Sequence, residues 1–318
     1  MGRKTRLFFA TDIHASDKCF RKFVNAGKFY DANVLILGGD ITGKMVIPII
    51  HADNSTYSCR FLGNNLTLKS KEELDSTIKN IRDAGYYPYL SNEKEVAELL
   101  ADKTKIDALF EKLITETIDH WIQLAQERLS GTGIKCYISP GNDDTFAIDN
   151  HLADSGVVSN PERRVVKIDD THEMITLGFT NRTPWNSPRE VDESQLERML
   201  EQMCAEVKDM TNCIFNVHCP PQETSIDQAQ ALDSTLKPIV KGGQIQMTSA
   251  GSLAVRKTIE KYQPLAGLHG HIHESKGVVK IGRTQCFNPG SEYTEGILRG
   301  LLLDVEDRNI RSYLFTAG

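Results

Sequence analysis

Residues 7–40 read LFFATDIHASDKCFRKFVNAGKFYDANVLILGGD, and this stretch decides the fold. The apolar run of residues 7–11 has the length of a buried strand, and residues 34–37 form a second such run. Between them, residues 20–30 carry apolar side chains at helical spacing. A strand, a helix and a strand in this order predict a βαβ unit, and therefore an α/β protein built on a parallel sheet.

Acidic and histidine residues follow both strands of this unit. Asp12 and His14 come directly after the first strand, and Asp40 follows the second. Three later strand-like runs, residues 134–139, 213–217 and 265–269, lead in the same way into Pro140-Gly141-Asn142-Asp143-Asp144, into His218 and into Gly270-His271-Ile272-His273. Because parallel strands bring their carboxyl ends to one edge, we expect these side chains to converge there.

Taken singly, each of these short motifs also suits an ordinary structural role, such as a turn, a helix cap or a core histidine. The recurrence of the pattern after five strands favours a metal site instead. The candidate ligands are Asp12, His14, Asp40, Asn142, His218, His271 and His273. Imidazoles, carboxylates and an amide suit divalent first-row metals such as Mn²⁺, Fe²⁺, Zn²⁺ or Ni²⁺, and a bridging carboxylate can hold two ions about 3.5–4 Å apart.

The order of these blocks resembles the calcineurin-like metallophosphoesterase superfamily from about Lys4 to Asn288, with the segment between residues 52 and 131 excepted. The resemblance implies a four-layer αββα sandwich. It also implies two divalent metal ions: Asp12, His14 and His273 would hold one, Asn142, His218 and His271 would hold the other, and Asp40 would bridge them. His269 stands before the glycine with which the family motif begins, so it is interpreted as a supporting or core residue.

The resemblance further implies hydrolysis of a phosphate ester by in-line attack of a metal-bridging hydroxide. Asp143, Asp144 and Arg182 are the candidate catalytic residues, and Asp143 stands where most family members carry a substrate-contacting histidine. An aspartate near cations is ionised at neutral pH and is a poor proton donor, which favours phosphodiesters over monoesters. Arg182 is expected either to clamp the ester or to be an ordinary solvated loop arginine.

The chain is interpreted as a single metallophosphoesterase domain over residues 1–318, with a largely helical insertion at residues 52–131. Residues 92–130 place apolar side chains near three-and-four spacing, which is typical of amphipathic helices. This stripe suits packing on the main domain, but a substrate cap or the surface of a homo-oligomer would present the same pattern. An alternative function is a catalytically weak scaffold that binds proteins through the insertion.

Composition narrows the class of function. The 318 residues are 40% hydrophobic and 25% charged, which excludes disorder as the main state. The net charge of −6 and the absence of a basic cluster argue against nucleic-acid polymers, so a small-molecule phosphate ester is the expected substrate. The apolar runs are too short for a membrane span or a signal sequence, and the seven scattered cysteines favour a reducing cytoplasm.

Overall fold

The computed structural model describes residues 4–52, 56–153 and 155–318. In chain order its strands are β1 (Thr5–Ala10), β2 (Val34–Gly38), β3 (Val46–Ala52), β4 (Thr56–Phe61), β5 (Asn64–Leu68), β6 (Tyr87–Ser91), β7 (Lys135–Ser139), β8 (Val158–Ser159), β9 (Val165–Lys167), β10 (Glu173–Leu177), β11 (Thr180–Asn181), β12 (Glu190–Val191), β13 (Cys213–Val217), β14 (Gln228–Gln230), β15 (Val240–Lys241), β16 (Gln244–Ile245), β17 (Met247–Ser249), β18 (Ala266–Leu268), β19 (Gly277–Ile281), β20 (Thr284–Asn288), β21 (Arg299–Glu306) and β22 (Asn309–Ala317). Its α-helices are α1 (Asp17–Phe29), α2 (Lys71–Asp83), α3 (Glu93–Ala101), α4 (Lys103–Leu129), α5 (Glu193–Glu206) and α6 (Leu253–Tyr262). The mixed α/β class predicted from the sequence is confirmed.

Two six-stranded sheets form the centre of the protein. The first has the order β22-β21-β1-β2-β7-β8, and the second has the order β19-β20-β18-β13-β10-β9. Strands β1, β2 and β7 run parallel to one another in the first sheet, as β10, β13 and β18 do in the second. The strands that precede the candidate ligands are therefore divided between two sheets, whereas their spacing along the sequence suggested one continuous edge.

The alternation of side chains along β1 builds two different cores. Leu7 and Phe9 point toward the second sheet and pack with residues such as Met174 and Phe287. Phe8 lies on the opposite face, in a cluster with residues of α1 and α4. The period of two along a strand thus gives the first sheet one face for the second sheet and one face for helices.

Helices cover the outer face of each sheet. On the first sheet, α1 begins after Ser16, whose hydroxyl accepts a hydrogen bond from the Cys19 amide at 3.3 Å and caps the helix. On the second sheet, Leu196 and Leu200 of α5 and Val255 of α6 pack in one cluster with Phe215 of β13. The central strands of both sheets are therefore buried on two faces, whereas the edge strand β22 is largely exposed.

A smaller sheet, with the order β5-β4-β3-β6, stands apart from the two central ones. Alternate residues of β4, Cys59 and Phe61, pack against Leu74 and Ile81 of α2 in a separate core. Residues 52–131 thus contain α2, α3 and α4 together with β4, β5 and β6, and the sheet also includes β3, which begins before residue 52. The sequence prediction lacked this sheet, although Tyr57, Cys59 and Phe61 alternate as a strand requires.

The apolar stripe of α4 packs on the main domain along its second half. Trp121 is 2% exposed and stacks on Phe20 of α1, with ring centroids 4.2 Å apart. Its indole Nε1–H donates to Asp17 Oδ1 at 2.7 Å. The predicted amphipathic stripe therefore serves, in this half of the helix, the interior packing that was one of its three interpretations.

The seven cysteines all lie within the described residues, where each is a buried free thiol. Among the helices of the described ranges, not one combines the length and the apolar character that crossing a membrane requires.

Candidate metal centre

The loops that follow β1, β2, β7, β13 and β18 meet at one end of the two central sheets. Backbone hydrogen bonds tie the first two of these loops together: the amide of Asp12 donates to Gly39 O at 3.0 Å, and that of His14 donates to Asp40 O at 3.0 Å. Backbone hydrogen bonds alone thus hold these two loops against each other.

Several candidate ligands have left-handed backbone conformations, which are strained for residues with a Cβ. The φ angles are 55° at Asp12, 39° at His14, 48° at Asp40 and 68° at His271. Such conformations cost of the order of 1 kcal/mol or more each and persist only where the surrounding structure imposes them. Their concentration at the carboxyl end of the strands is typical of a functional site.

Close approach of backbone at the site requires glycine at two of the motif positions. A Cβ placed on Gly141 would overlap the backbone nitrogen and Oδ1 of Asp40. A Cβ on Gly270 would overlap Thr11 Oγ1 and Asp12 Oδ2. The glycines of these motifs therefore allow the loops to pack directly against the candidate carboxylates.

One group of possible ligands consists of Asp12, His14 and His273, whose ligand atoms lie within 4.8 Å of one another. His14 Nε2 is 3.1 Å from His273 Nε2, and His273 Nε2 is 3.4 Å from Asp12 Oδ1. The Asp12 carboxylate is oriented by the amide of His271, which donates to both of its oxygens at 3.1 Å. The three residues that the resemblance assigns to one metal are therefore neighbours.

A second group consists of Asp40, His218 and His271, again with ligand atoms within 4.8 Å of one another. His218 Nε2 lies 3.4 Å from Asp40 Oδ1, while its Nδ1 lies 2.9 Å from Gly38 O. A backbone partner of this kind fixes the ring and leaves the other nitrogen for a cation. A third group, His14, Asp40 and Asp143, places Asp40 in contact with ligands from both sides.

The chemistry of these residues fits a divalent metal. Buried polar atoms normally have a hydrogen-bond partner, yet His218 Nε2 and Asn142 Oδ1 are buried and have none within the described chain. Both are lone-pair donors aimed into a cluster of carboxylates and imidazoles. A bound cation would satisfy them, and Asn142 and His218 would then join Asp40 and His271 as its ligands.

The carboxylates of the cluster favour positive charge on two of its histidines, His218 and His273, and raise the pKa of each against the effect of burial. Burial lowers the pKa of His218, but Asp40 and Asp12 outweigh it and raise this pKa to about 10. Burial raises the pKa of Asp12, but His218 and His273 hold it at about 2. Burial lowers the pKa of His271, with help from His218, to about 4. The carboxylates thus favour a positive charge at His218 Nε2, and a divalent metal bound there would supply that charge in place of a proton.

Asp143 lies beside the cluster with both carboxylate oxygens engaged. Its Oδ2 is 2.5 Å from Lys44 Nζ. Its Oδ1 accepts from Ser187 Oγ at 2.6 Å and from Asn142 Nδ2 at 3.1 Å. The Asp143 amide donates to Asp40 Oδ1 at 3.0 Å. The position predicted to face the substrate therefore holds an ion pair rather than an isolated carboxylate.

Asp144 is fully buried and turned away from the cluster. Its carboxylate accepts from the amides of Ile41 at 3.1 Å, Thr42 at 2.8 Å and Gly141 at 2.7 Å, and from the Thr42 hydroxyl at 2.6 Å. Burial, with a contribution from Asp40, raises its pKa to about 6. In this position it joins the loop after β2 to the loop after β7.

Arg182 lies at the rim of a cavity of about 690 Å³ that is also lined by Asp40, Asn142, Asp143, His271 and His273. Its Nε–H donates to Asp192 Oδ1 at 3.1 Å, and its side chain is 56% exposed. Trp185, 59% exposed, lines the same cavity. Arg182 is therefore placed where an ester could reach it, but it is paired with a carboxylate.

His269 is separate from both groups of ligands. Its Nδ1 lies 2.7 Å from Val217 O, and burial lowers its pKa to about 4. Asn288 supports the last loop, because its Nδ2 donates to Ile272 O at 2.9 Å. Ser291, in the same stretch, donates to Asp12 O at 2.6 Å.

Sequence reasoning missed Lys44, Ser187 and the buried role of Arg189. Arg189 donates from Nε to Asp144 O at 2.9 Å and from Nη2 to Thr145 O at 3.0 Å. Lys44 stands only four residues after Asp40, and this proximity was the available signal.

Comparison with known proteins gives limited sequence similarity. No protein-family model matches the chain. The uncharacterized protein MJ1162 of Methanocaldococcus jannaschii is 32% identical over 152 residues, which are 47% of this chain and 61% of that protein. The similarity thus spans less than two thirds of the relative.

Solved structures show similarity in fold. TT1561 of Thermus thermophilus is 12% identical over 99% of both chains, with a TM-score of 0.54, which bears on the fold alone. A structure described as a novel archaeal phosphodiesterase is 11% identical over 98% of this chain and 100% of that one. Its TM-score is 0.33. In motif order, in α/β fold class and in the convergence of its histidines and carboxylates, the chain resembles the calcineurin-like metallophosphoesterase superfamily, as its sequence predicts.

Proposed function

We propose that this protein is a metal-dependent phosphoric ester hydrolase that holds two divalent ions and favours phosphodiesters. The observation that carries the proposal is the pair of ligand groups, Asp12 with His14 and His273, and Asp40 with His218 and His271, at one cavity. The orphaned Asn142 Oδ1 supports assigning Asn142 to the second group. Asp40 is the candidate bridge, because its oxygens lie 3.4 Å from His218 Nε2 and 3.8 Å from His14 Nε2.

When bound, divalent ions polarise phosphoryl oxygens and lower the pKa of a bound water, which is the chemistry that ester hydrolysis needs. The chain's own residues orient the ligands. The Gly38 carbonyl fixes the ring of His218, and the His271 amide fixes the Asp12 carboxylate. Asp144 holds the two loops that carry Asp40 and Asn142. We therefore assign Asp144 a positioning role and keep Asp143 and Arg182 as the candidate groups near substrate.

The preference for diesters is supported by space and charge. The cavity of about 690 Å³ extends from the ligand groups past Arg182 and Trp185, which leaves room for a second ester substituent. Asp143 lies at its inner end in an ion pair with Lys44, so its carboxylate offsets part of a positive charge that a dianionic monoester needs more than a monoanionic diester does. We keep a small-molecule ester as the proposed substrate, because a net charge of −6 provides no general attraction for a polyanion.

The packing of the central sheets supports the four-layer αββα arrangement within a single domain over residues 1–318. The helices α1 and α4 lie outside the first sheet, and α5 and α6 lie outside the second. We treat residues 52–131 as an insertion that packs on this domain. A homo-oligomer through the exposed part of α3, where Leu100 is 74% exposed, and a reducing cytoplasmic location remain predictions.

A hydrolysis screen tests the proposed function. Chelator-treated protein is assayed with bis-p-nitrophenyl phosphate, p-nitrophenyl phosphate and cyclic nucleotides, with Mn²⁺, Ni²⁺, Fe²⁺ or Zn²⁺ restored separately. We expect hydrolysis that requires metal, with a higher kcat/KM for the diester, and an inactive Asp40→Ala control. Absence of hydrolysis with every metal would contradict the proposal and favour the scaffold function.

A further inference from the structure

Lys44 is held over the candidate metal centre by a loop with little freedom. The amides of Ile41 and Thr42 donate to Asp144, and the Gly43 amide donates to the Tyr87 hydroxyl at 2.8 Å. Tyr87 is itself 3% exposed. The three residues before Lys44 are therefore anchored in the interior, and its side chain leaves a fixed point of the backbone.

The ammonium group of Lys44 retains unused donors. An ammonium has three N–H bonds, and Asp143 Oδ2, at 2.5 Å, accepts one of them. The described residues offer no second hydrogen bond or ion pair to Lys44 Nζ. The side chain is 53% exposed and lines the same cavity as Asp40, Asn142 and His271. At least one donor is therefore available to a molecule in that cavity.

Asp143 is placed to hold this ammonium. Ser187 Oγ and Asn142 Nδ2 donate to its Oδ1, which leaves Oδ2 for Lys44. The ligand atoms of Asp143, His14 and Asp40 lie within 4.8 Å of one another, so the ammonium that Asp143 holds stands next to both ligand groups. Arg182, the other permanent cation at the cavity, is paired with Asp192 at the rim.

We propose that Lys44 binds a phosphoryl oxygen of the ester and that Asp143 positions Lys44. This inference rests on the proposed function. A lysine ammonium is a compact point charge that binds phosphate well. In this arrangement Asp143 acts through Lys44, and the ion pair places a positive charge beside the anionic substrate. The chemical class recognised is a phosphate or phosphate-ester oxyanion.

Binding of inorganic phosphate tests this assignment without relying on turnover. Calorimetric titrations are run on Mn²⁺-loaded wild type, Lys44→Ala and Lys44→Arg, with metal content measured on each. Loss of one charge-assisted hydrogen bond should weaken phosphate binding about tenfold to a hundredfold in Lys44→Ala. Lys44→Arg, which keeps the charge, should stay within about threefold of wild type. Metal content should be equal in all three proteins.

Lys79→Ala is the matched control, because Lys79 forms an exposed 2.6 Å pair with Asp83 away from the cavity. It should bind phosphate as wild type does. Unchanged binding by Lys44→Ala, loss of metal from it, or no phosphate binding by loaded wild type would overturn the assignment. Hydrolysis by wild type with unchanged kcat/KM in Lys44→Ala would overturn it while the proposed function stands. If phosphate binding depends on Lys44 but the protein has no hydrolytic activity, the proposed function is overturned and the assignment of Lys44 stands.

Discussion

The guanidinium of Arg189 donates a 2.9 Å hydrogen bond to the carbonyl oxygen of Asp144 and thereby holds the loop after β7 in place. Arg189 also donates from its own amide to Asn142 O at 3.1 Å. Its side chain is 1% exposed and pairs with Asp149 Oδ1 at 2.5 Å. A single buried arginine therefore contacts the backbone on both sides of Asp143.

Replacing Arg189 by methionine should destabilise the protein by about 3 kcal/mol, because two carbonyl oxygens and the partly exposed carboxylate of Asp149 lose their donor. The free energy of unfolding, measured in urea, checks this expectation. Arg308→Met is the control, since Arg308 is exposed and lies 3.6 Å from Asp209; its effect should stay below about 0.5 kcal/mol. Equal effects of both changes would show that the buried contacts of Arg189 add no stability.

Asp40 and His14 should differ in their effect on metal content. If Asp40 bridges, Asp40→Ala loses both ions together, whereas His14→Ala mainly weakens one site. Metal bound per chain, measured by plasma mass spectrometry after gel filtration, separates the two variants. His151→Ala is the control, because His151 pairs with Asp119 outside both ligand groups. An Asp40→Ala protein that retains two ions and full activity would remove the bridging model.

Asp143→Asn should shift specificity toward monoesters. The change removes a negative charge next to the ligand groups and leaves one acceptor oxygen where Asp143 offers two, so the contact with either Ser187 or Lys44 is lost. The dianionic monoester gains more from this than the monoanionic diester, so the ratio of kcat/KM for the two should rise several-fold, up to about tenfold. Matched p-nitrophenyl mono- and diesters provide the measurement.

Two further results would decide the role of Asp143. Asp143→His should add protonation of the leaving group and raise turnover of esters with basic leaving groups. A wild type that prefers the monoester, together with an Asp143→Asn protein inactive on both substrates, would make Asp143 an essential acid or ligand.

The sequence was sufficient where a local pattern determines the outcome. The apolar runs at residues 7–11 and 34–37 correspond to β1 and β2, and each candidate ligand follows a strand as predicted. Strands that share a direction bring their loops to one edge of a sheet, and the apolar runs identify those strands. The placement of Asp12 and Asp40 at one edge, and of His218 and His271 at another, is therefore accessible from the motifs, whereas the meeting of the two edges depends on how the sheets pack.

Other features depend on contacts between distant residues. The division of the strands between two sheets is set by which faces pack together, and central strands such as β2 and β13 are buried on both faces. The Lys44–Asp143 ion pair joins residues 99 positions apart in the sequence. The burial of the Arg189 side chain also depends on distant residues. From the sequence alone, an arginine in a loop of mixed polarity is expected to be solvated.

Glu162 should make the stability of the protein depend on pH. Its Oε2 accepts from the Gly178 amide at 2.8 Å, while its Oε1 is buried without a hydrogen-bond partner in the described chain. Burial raises the pKa of Glu162 to about 8, against the opposing effects of Gly178 and Arg189. The unfolded carboxyl releases its proton near its ordinary pKa of about 4.3. Between these two pH values the folded state binds more protons, so the free energy of unfolding falls as pH rises.

Glu162→Gln removes this titration and keeps a carbonyl oxygen for the Gly178 amide. At pH 8.5 the variant should be more stable than wild type by about 2 kcal/mol, and the difference should shrink toward pH 5.5, where the wild-type carboxyl is mostly protonated in the folded state. Urea unfolding at several pH values measures both proteins. Glu98→Gln, at an exposed residue 3.9 Å from Lys94, should show no such trend. A difference between Glu162→Gln and wild type that is constant from pH 5.5 to 8.5 would mean that Glu162 is ionised in the folded protein throughout this range.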